Sequence, residues 1–175
     1  MSITNLQLPN ECWELVFTFL SQDHHHLDVD HHRYLEPLSL VSKYFLSITN
    51  NLRSSLVISD RTLPHLACLF ARFPMLRSLR IRHFTGDLDA LLCQISLSSL
   101  SLESLSISSR RTIPAIGFRA LGKNMKTLKS LSCTHVACLK TGDLLLISEC
   151  FPFLQELKIG SFKYRYPSQQ LLSYN

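Results

Sequence analysis

Apolar and polar positions alternate in four short segments set at one interval along the chain. They are Leu76-Arg77-Ser78-Leu79-Arg80-Ile81, Leu102-Glu103-Ser104-Leu105-Ser106-Ile107, Leu128-Lys129-Ser130-Leu131-Ser132-Cys133 and Leu154-Gln155-Glu156-Leu157-Lys158-Ile159, with leading leucines 26 residues apart. The first and last share a lead-in, Phe73-Pro74-Met75 and Phe151-Pro152-Phe153. An irregular fifth copy lies upstream, where Leu56-Val57-Ile58 matches Leu79-Arg80-Ile81 at an offset of 23. Alternation of this kind predicts short strands with two apolar side chains on one face. They are expected near 56–58, 79–81, 105–107, 131–133 and 157–159. Between them, apolar spacing predicts helices carrying Leu88, Leu91, Leu92 and Ile95, then Ile116, Leu121 and Met125, then Leu144, Ile147 and Phe151. One strand-plus-helix unit cannot bury both its apolar faces, so stacked copies must share a core.

L-x-x-L-x-L at this period resembles the leucine-rich-repeat signature. The resemblance implies an α/β solenoid of about four to five repeats over residues 51–175, truncated at its C-terminal end. Ile113, Gly117, Phe118 and Leu121 resemble the cysteine-containing subtype, although Phe84, Arg110 and Val136 stand where its cysteine would be. Strand positions between the inward residues form two polar columns, Ser78/Ser104/Ser130/Glu156 and Arg80/Ser106/Ser132/Lys158. With Arg77 and Arg82 at the edge, this face is the candidate substrate surface, suited to an acidic or phosphorylated peptide. A solvated sheet face is the plainer alternative, since outward strand residues are ordinarily polar.

Upstream, residues 8–20 read as an amphipathic helix. Pro9 and Asn10 suit its start, Glu11 and Glu14 suit its positive end, and apolar residues stand at 12, 13, 16, 17, 19 and 20. Tyr34 to Ile48 gives one or two further short helices, with Pro37 tolerated in a first turn. So few short helices build little core, which leaves apolar surface for a partner.

Leu8-Pro9-x-Glu11 entering an apolar helix, followed by Leu38-Ser39-Leu40-Val41-Ser42-Lys43, resembles an F-box over residues 6–50. With the repeats behind it, the chain is similar to the plant F-box/leucine-rich-repeat family. That resemblance implies a small all-α F-box followed by the solenoid, acting as a substrate-recognition adaptor of a Skp–cullin–F-box ubiquitin ligase. Carried over by position, docking on the Skp-type adaptor would use Leu8, Pro9, Glu11, Val16, Leu20, Pro37, Leu38, Val41 and Lys43. The repeats would hold an unidentified protein substrate. The interval 22–32 is longer than a minimal F-box connection and is expected to bulge as a loop.

Composition and charge narrow these expectations. The 175 residues include 34 Leu and 23 Ser, which the repeat explains as core and strand-face residues. Residues 1–60 carry three basic and seven acidic side chains, and residues 61–175 carry 15 and six. That asymmetry points to two modules with different partners. Nucleic acid is not the expected partner of the basic part, whose charges are dispersed and lack regularly spaced stacking aromatics. No secretory signal or apolar span is visible, and six scattered cysteines fit the reducing cytoplasm or nucleus.

Two clusters offer metal-ligand atoms: His24, His25, His26, Asp28, Asp30, His31 and His32 in the polar interval, and Cys133, His135 and Cys138 after the fourth segment. The first is expected to be a solvated loop, and Cys133 to pack inward, so no metal and no cofactor are expected. Nucleophile-elbow, phosphate-loop and H-E-x-x-H motifs are all missing, so no enzymatic activity is expected. The alternatives are a ligase-independent interaction module, including a truncated F-box protein without substrate binding, a nucleic-acid binder, and an enzyme of unrecognised type.

Overall fold

The computed structural model describes residues 8–22, 35–108, 112–136 and 139–160. Three helices come first, α1 (Asn10–Gln22), α2 (Leu35–Ser39) and α3 (Lys43–Leu52). Strand and helix then alternate: β1 (Ser55–Ile58), a 3-10 turn into α4 (Leu66–Arg72), β2 (Ser78–Ile81), α5 (Leu88–Ser96), β3 (Ser104–Ser108), α6 (Ala115–Asn124), β4 (Ser130–Thr134), α7 (Thr141–Cys150) and β5 (Glu156–Gly160). All strands are parallel and lie in chain order, β1-β2-β3-β4-β5.

Register follows the sequence interval residue for residue. Leu56, Leu79, Leu105, Leu131 and Leu157 stand side by side, as do Ile58, Ile81, Ile107, Cys133 and Ile159. Each strand after β1 is entered through a shared carbonyl. The amides of Arg77 and Ser78 both donate to Ser54, those of Glu103 and Ser104 to Arg77, those of Lys129 and Ser130 to Glu103, and those of Gln155 and Glu156 to Lys129 (2.7–3.0 Å). Apart from Leu157, which is exposed, the inward columns, the leading Leu76, Leu102 and Leu128, and α5–α7 residues such as Leu92, Phe118 and Ile147 form one core.

Short helices need firm starts. The Asp87 carboxylate accepts from the Ala90 amide (3.2 Å) and the Ser42 hydroxyl from that of Phe45 (3.1 Å), capping α5 and α3. Two glycines let α6 approach its neighbours. A Cβ on Gly117 would lie 2.6 Å from Leu92 Cβ, and one on Gly122 would run into the Cys150 carbonyl. The space is filled by Phe118 against Phe151, edge to face with centroids 5.5 Å apart.

This arrangement corrects the expected architecture of a small all-α F-box followed by a leucine-rich-repeat solenoid. The described residues form seven α-helices and a single five-stranded, all-parallel sheet in alternating α/β order. The physical cause is visible at the junction. Only Arg53 and Ser54 separate α3 from β1, and Arg72 Nε on α4 donates to Asn50 Oδ1 on α3 (3.1 Å). Arg53 also stacks over Phe73 at 5.0 Å. The early helices thus run into the α/β body, though they enclose a small core of their own around Phe17, Leu35 and Ile48.

Two helix faces also differ from expectation. Ile116 and Leu144 are exposed, because the inward side of α6 is Gly117, Phe118, Leu121 and Gly122, and that of α7 is Leu146 and Ile147. Among the described side chains of α1 only Phe17 is buried, since the helix packs chiefly on α3.

One glycine of α6 and one of α7 give opposite expectations. Gly122→Ala overpacks the α6–α7 contact and should cost about 1–3 kcal/mol. Gly142→Ala, with open space around it in α7, should stabilise by roughly 0.5–1 kcal/mol. Urea denaturation of both variants checks the contrast.

Candidate functional site

Two surfaces carry the residues singled out by sequence. The first spans the N-terminal helices. Trp13 and Phe17 turn inward from α1 against Phe45 of α3, with ring centroids 4.8 and 5.1 Å apart. The Tyr44 hydroxyl donates to the Leu8 carbonyl (3.3 Å), tying the start of α1 to α3. With that side of α1 fixed inward, Leu15, Val16, Phe19 and Leu20 face solvent, and their i, i+4 spacing sets them side by side. Leu40 and Val41 in the turn after α2 are exposed as well, at 82% and 66%.

Among the expected docking residues, Leu8, Pro9, Glu11, Val16, Leu20, Pro37, Val41 and Lys43 are exposed and Leu38 is half-buried against the small core. Leu15, Phe19 and Leu40 belong to the same exposed apolar set and were not singled out by sequence. For Leu15 and Phe19 the signal was the number of apolar positions on α1, too many for a helix covered on one side only; no comparable pattern marks Leu40.

The second surface is the outward face of the sheet. Register sets Ser78, Ser104, Ser130 and Glu156 in one row, and Arg80, Ser106, Ser132 and Lys158 in the next. Neighbours in a row are about 4.8 Å apart, the distance between strands. Ser130 donates to Glu156 (2.9 Å), which also pairs with Lys158 (2.7 Å). At the strand entrances, Glu103 lies between Arg77 (2.8 Å) and Lys129 (3.3 Å). Glu103 and Lys129 were absent from the sequence-based set; they precede the strands, outside the period-2 pattern that picked out the rest. Glu103 compensates the charge of Arg77 and is shared with Lys129, while Arg82 lies exposed just beyond β2.

Titration follows these contacts. Hydrogen bonds from Lys129 and Arg77 hold the Glu103 carboxyl below its ordinary range, and Lys158 and Ser130 do the same for Glu156. Burial pushes the Cys133 thiol up to about 12. This thiol fills the inward slot that isoleucine occupies in β1, β2, β3 and β5, which removes it from any metal site at the surface. Cys138 and the histidine-rich interval 24–32 lie outside the described residues, as do Arg110 and Tyr34. Among the described residues no His/Cys/Asp/Glu group is arranged to hold a metal ion, and no helix is long and apolar enough to cross a membrane. No family model matches the chain.

Carboxyl-detected NMR should find Glu103 titrating below an ordinary glutamate, and Lys129→Ala should move it back up. Because its folded pKa is depressed, its contribution to stability is present above the unfolded pKa and is lost as pH falls through the folded value. Alkylation at pH 8 mapped by mass spectrometry should modify exposed Cys68 readily and leave Cys133 unmodified until the chain is unfolded.

Proposed function

We infer that this chain is a substrate-recognition adaptor of a Skp–cullin–F-box ubiquitin ligase, working in the cytoplasm or nucleus. The observation that carries the inference is the set of exposed apolar side chains on its N-terminal helices. Leu15, Phe19 and Leu40 are 71%, 68% and 82% exposed, beside a core with three buried apolar members among the described residues. Apolar anchors at helical spacing suit a helix-in-groove contact. Leu40 lies within the Leu38–Lys43 segment on which the family resemblance rests, and Leu15 and Phe19 lie on the helix that Leu8-Pro9-x-Glu11 enters.

Under this proposal α1, α2 and the turn before α3 dock on the Skp-type adaptor. The outward sheet face then holds a protein substrate, with Arg80, Arg82 and Lys158 selecting an acidic or phosphorylated segment. The chain supplies no catalytic group. Its contribution is to raise the effective concentration of substrate lysines near the ubiquitin carrier.

Binding of the full chain to a purified Skp-type adaptor, followed by calorimetry, tests this. Val16→Ala with Leu20→Ala should weaken binding at least about tenfold if these are interface anchors. Being exposed, the same pair should shift stability by only about 0.5 kcal/mol or so each. Unchanged binding would remove these residues from the docking face. A folded chain that does not bind at all would sink the ligase assignment and leave a ligase-independent interaction module.

A further inference from the structure

Both inward columns of the sheet lose their cover at β5. Leu56, Leu79, Leu105 and Leu131 are at most 6% exposed, whereas Leu157 in the same column is 39% exposed. Ile159 is half-buried where Ile58, Ile81, Ile107 and Cys133 are buried. The helix before β5 shows the same imbalance. Leu144, Leu145, Leu146 and Ile147 follow one another in α7, the last two buried and the first two exposed. A helix apolar on every side is ordinarily covered on every side.

Among the described residues nothing pairs with the backbone of β5 along the same edge. The Glu156 amide donates to Lys129 across the β4 side. In a parallel ladder alternate residues bond opposite neighbours, so the N–H and C=O groups of Leu157 and Ile159 point away from β4. Among the described residues no strand lies beyond β5. An open edge of this kind is a template for strand addition.

The outward side chains of β5 select the occupant. A two-fold pairing of this strand with its own copy is antiparallel, and a continuous outward face requires that like faces meet. Centring the pair on Leu157 sets Glu156 opposite Lys158 of the second copy, and Lys158 opposite its Glu156. It also brings the edge-facing backbone groups of the two Leu157 residues together and covers their side chains. Moving the centre to either neighbouring residue sets Lys158 against Lys158 or Glu156 against Glu156. Like charges directly opposite oppose pairing, so the sequence Glu156-Leu157-Lys158 is complementary to itself in one register only.

We propose that two copies of this chain associate edge to edge through β5, antiparallel about Leu157, making one continuous sheet. The strand alone falls short of the roughly 800 Å² per partner of a standard interface, and the exposed Leu144, Leu145 and Phe153 are apolar surface available to enlarge the contact. Association is independent of the adaptor function proposed above.

Sedimentation equilibrium of the full 175-residue chain tests the pairing. A reversible monomer–dimer equilibrium is expected. Glu156→Lys turns two attractive cross-strand pairs into repulsive ones and should raise the dissociation constant at least about tenfold. Glu156→Lys combined with Lys158→Glu restores complementarity and should restore the dimer. Circular dichroism confirms that each variant folds; if Glu156→Lys does not, Lys158→Glu alone carries the same expectation. A monomer at every concentration overturns the proposal. So does association that the single reversal leaves unchanged, or that the double reversal fails to restore.

Discussion

Residue-for-residue pairing of five parallel strands is the constraint from which the rest of this molecule follows. One carbonyl at each strand entrance accepts two amides from the next strand, so the register is fixed before any side chain is considered. Once fixed, period-2 alternation sends Leu79, Leu105 and Leu131 inward together and Ser78, Ser104 and Ser130 outward together. Burial of the inward set draws α5, α6 and α7 onto the sheet, and their closeness explains why glycine stands at 117 and 122. Outward, the same register sets charges close enough to pair.

The N-terminal helices obey a different balance. Trp13, Phe17 and Phe45 make a small aromatic core, and the contact of Arg72 with Asn50 joins it to the α/β body. The core is too small to absorb every apolar residue of α1. What remains outside, Leu15, Val16, Phe19 and Leu20, is surface that a second protein covers under the proposed function.

Strand positions were legible in the sequence because the alternation is local and repeated: Leu105 and Ile107 declare their face within three residues. Cys133 was legible as an inward residue because three isoleucines hold its slot in neighbouring copies. Helix faces were less so. Ile116 and Leu144 fit a helical period as well as Phe118 and Ile147 do, and only the approach of α6 to α5 and α7 decides between them. The overall architecture was misjudged at the α3–β1 junction, where two residues of linker and one arginine–asparagine contact join what the sequence divided. Glu103 and Lys129 escaped notice because their role exists only across strands.

That row of charges has a consequence for how the chain finds its fold. Four strands carry nearly interchangeable sequences, and a strand that skips its neighbour would still bury leucine on leucine. The entrance residues break the degeneracy: Arg77, Glu103 and Lys129 alternate in sign along the sheet. If β2 paired with β4 directly, Arg77 would face Lys129, cation on cation, in place of the carboxylate between them. The three middle layers thus carry a distinction that their apolar core does not supply, whereas uncharged Ser54 and Gln155 hold the same position at β1 and β5.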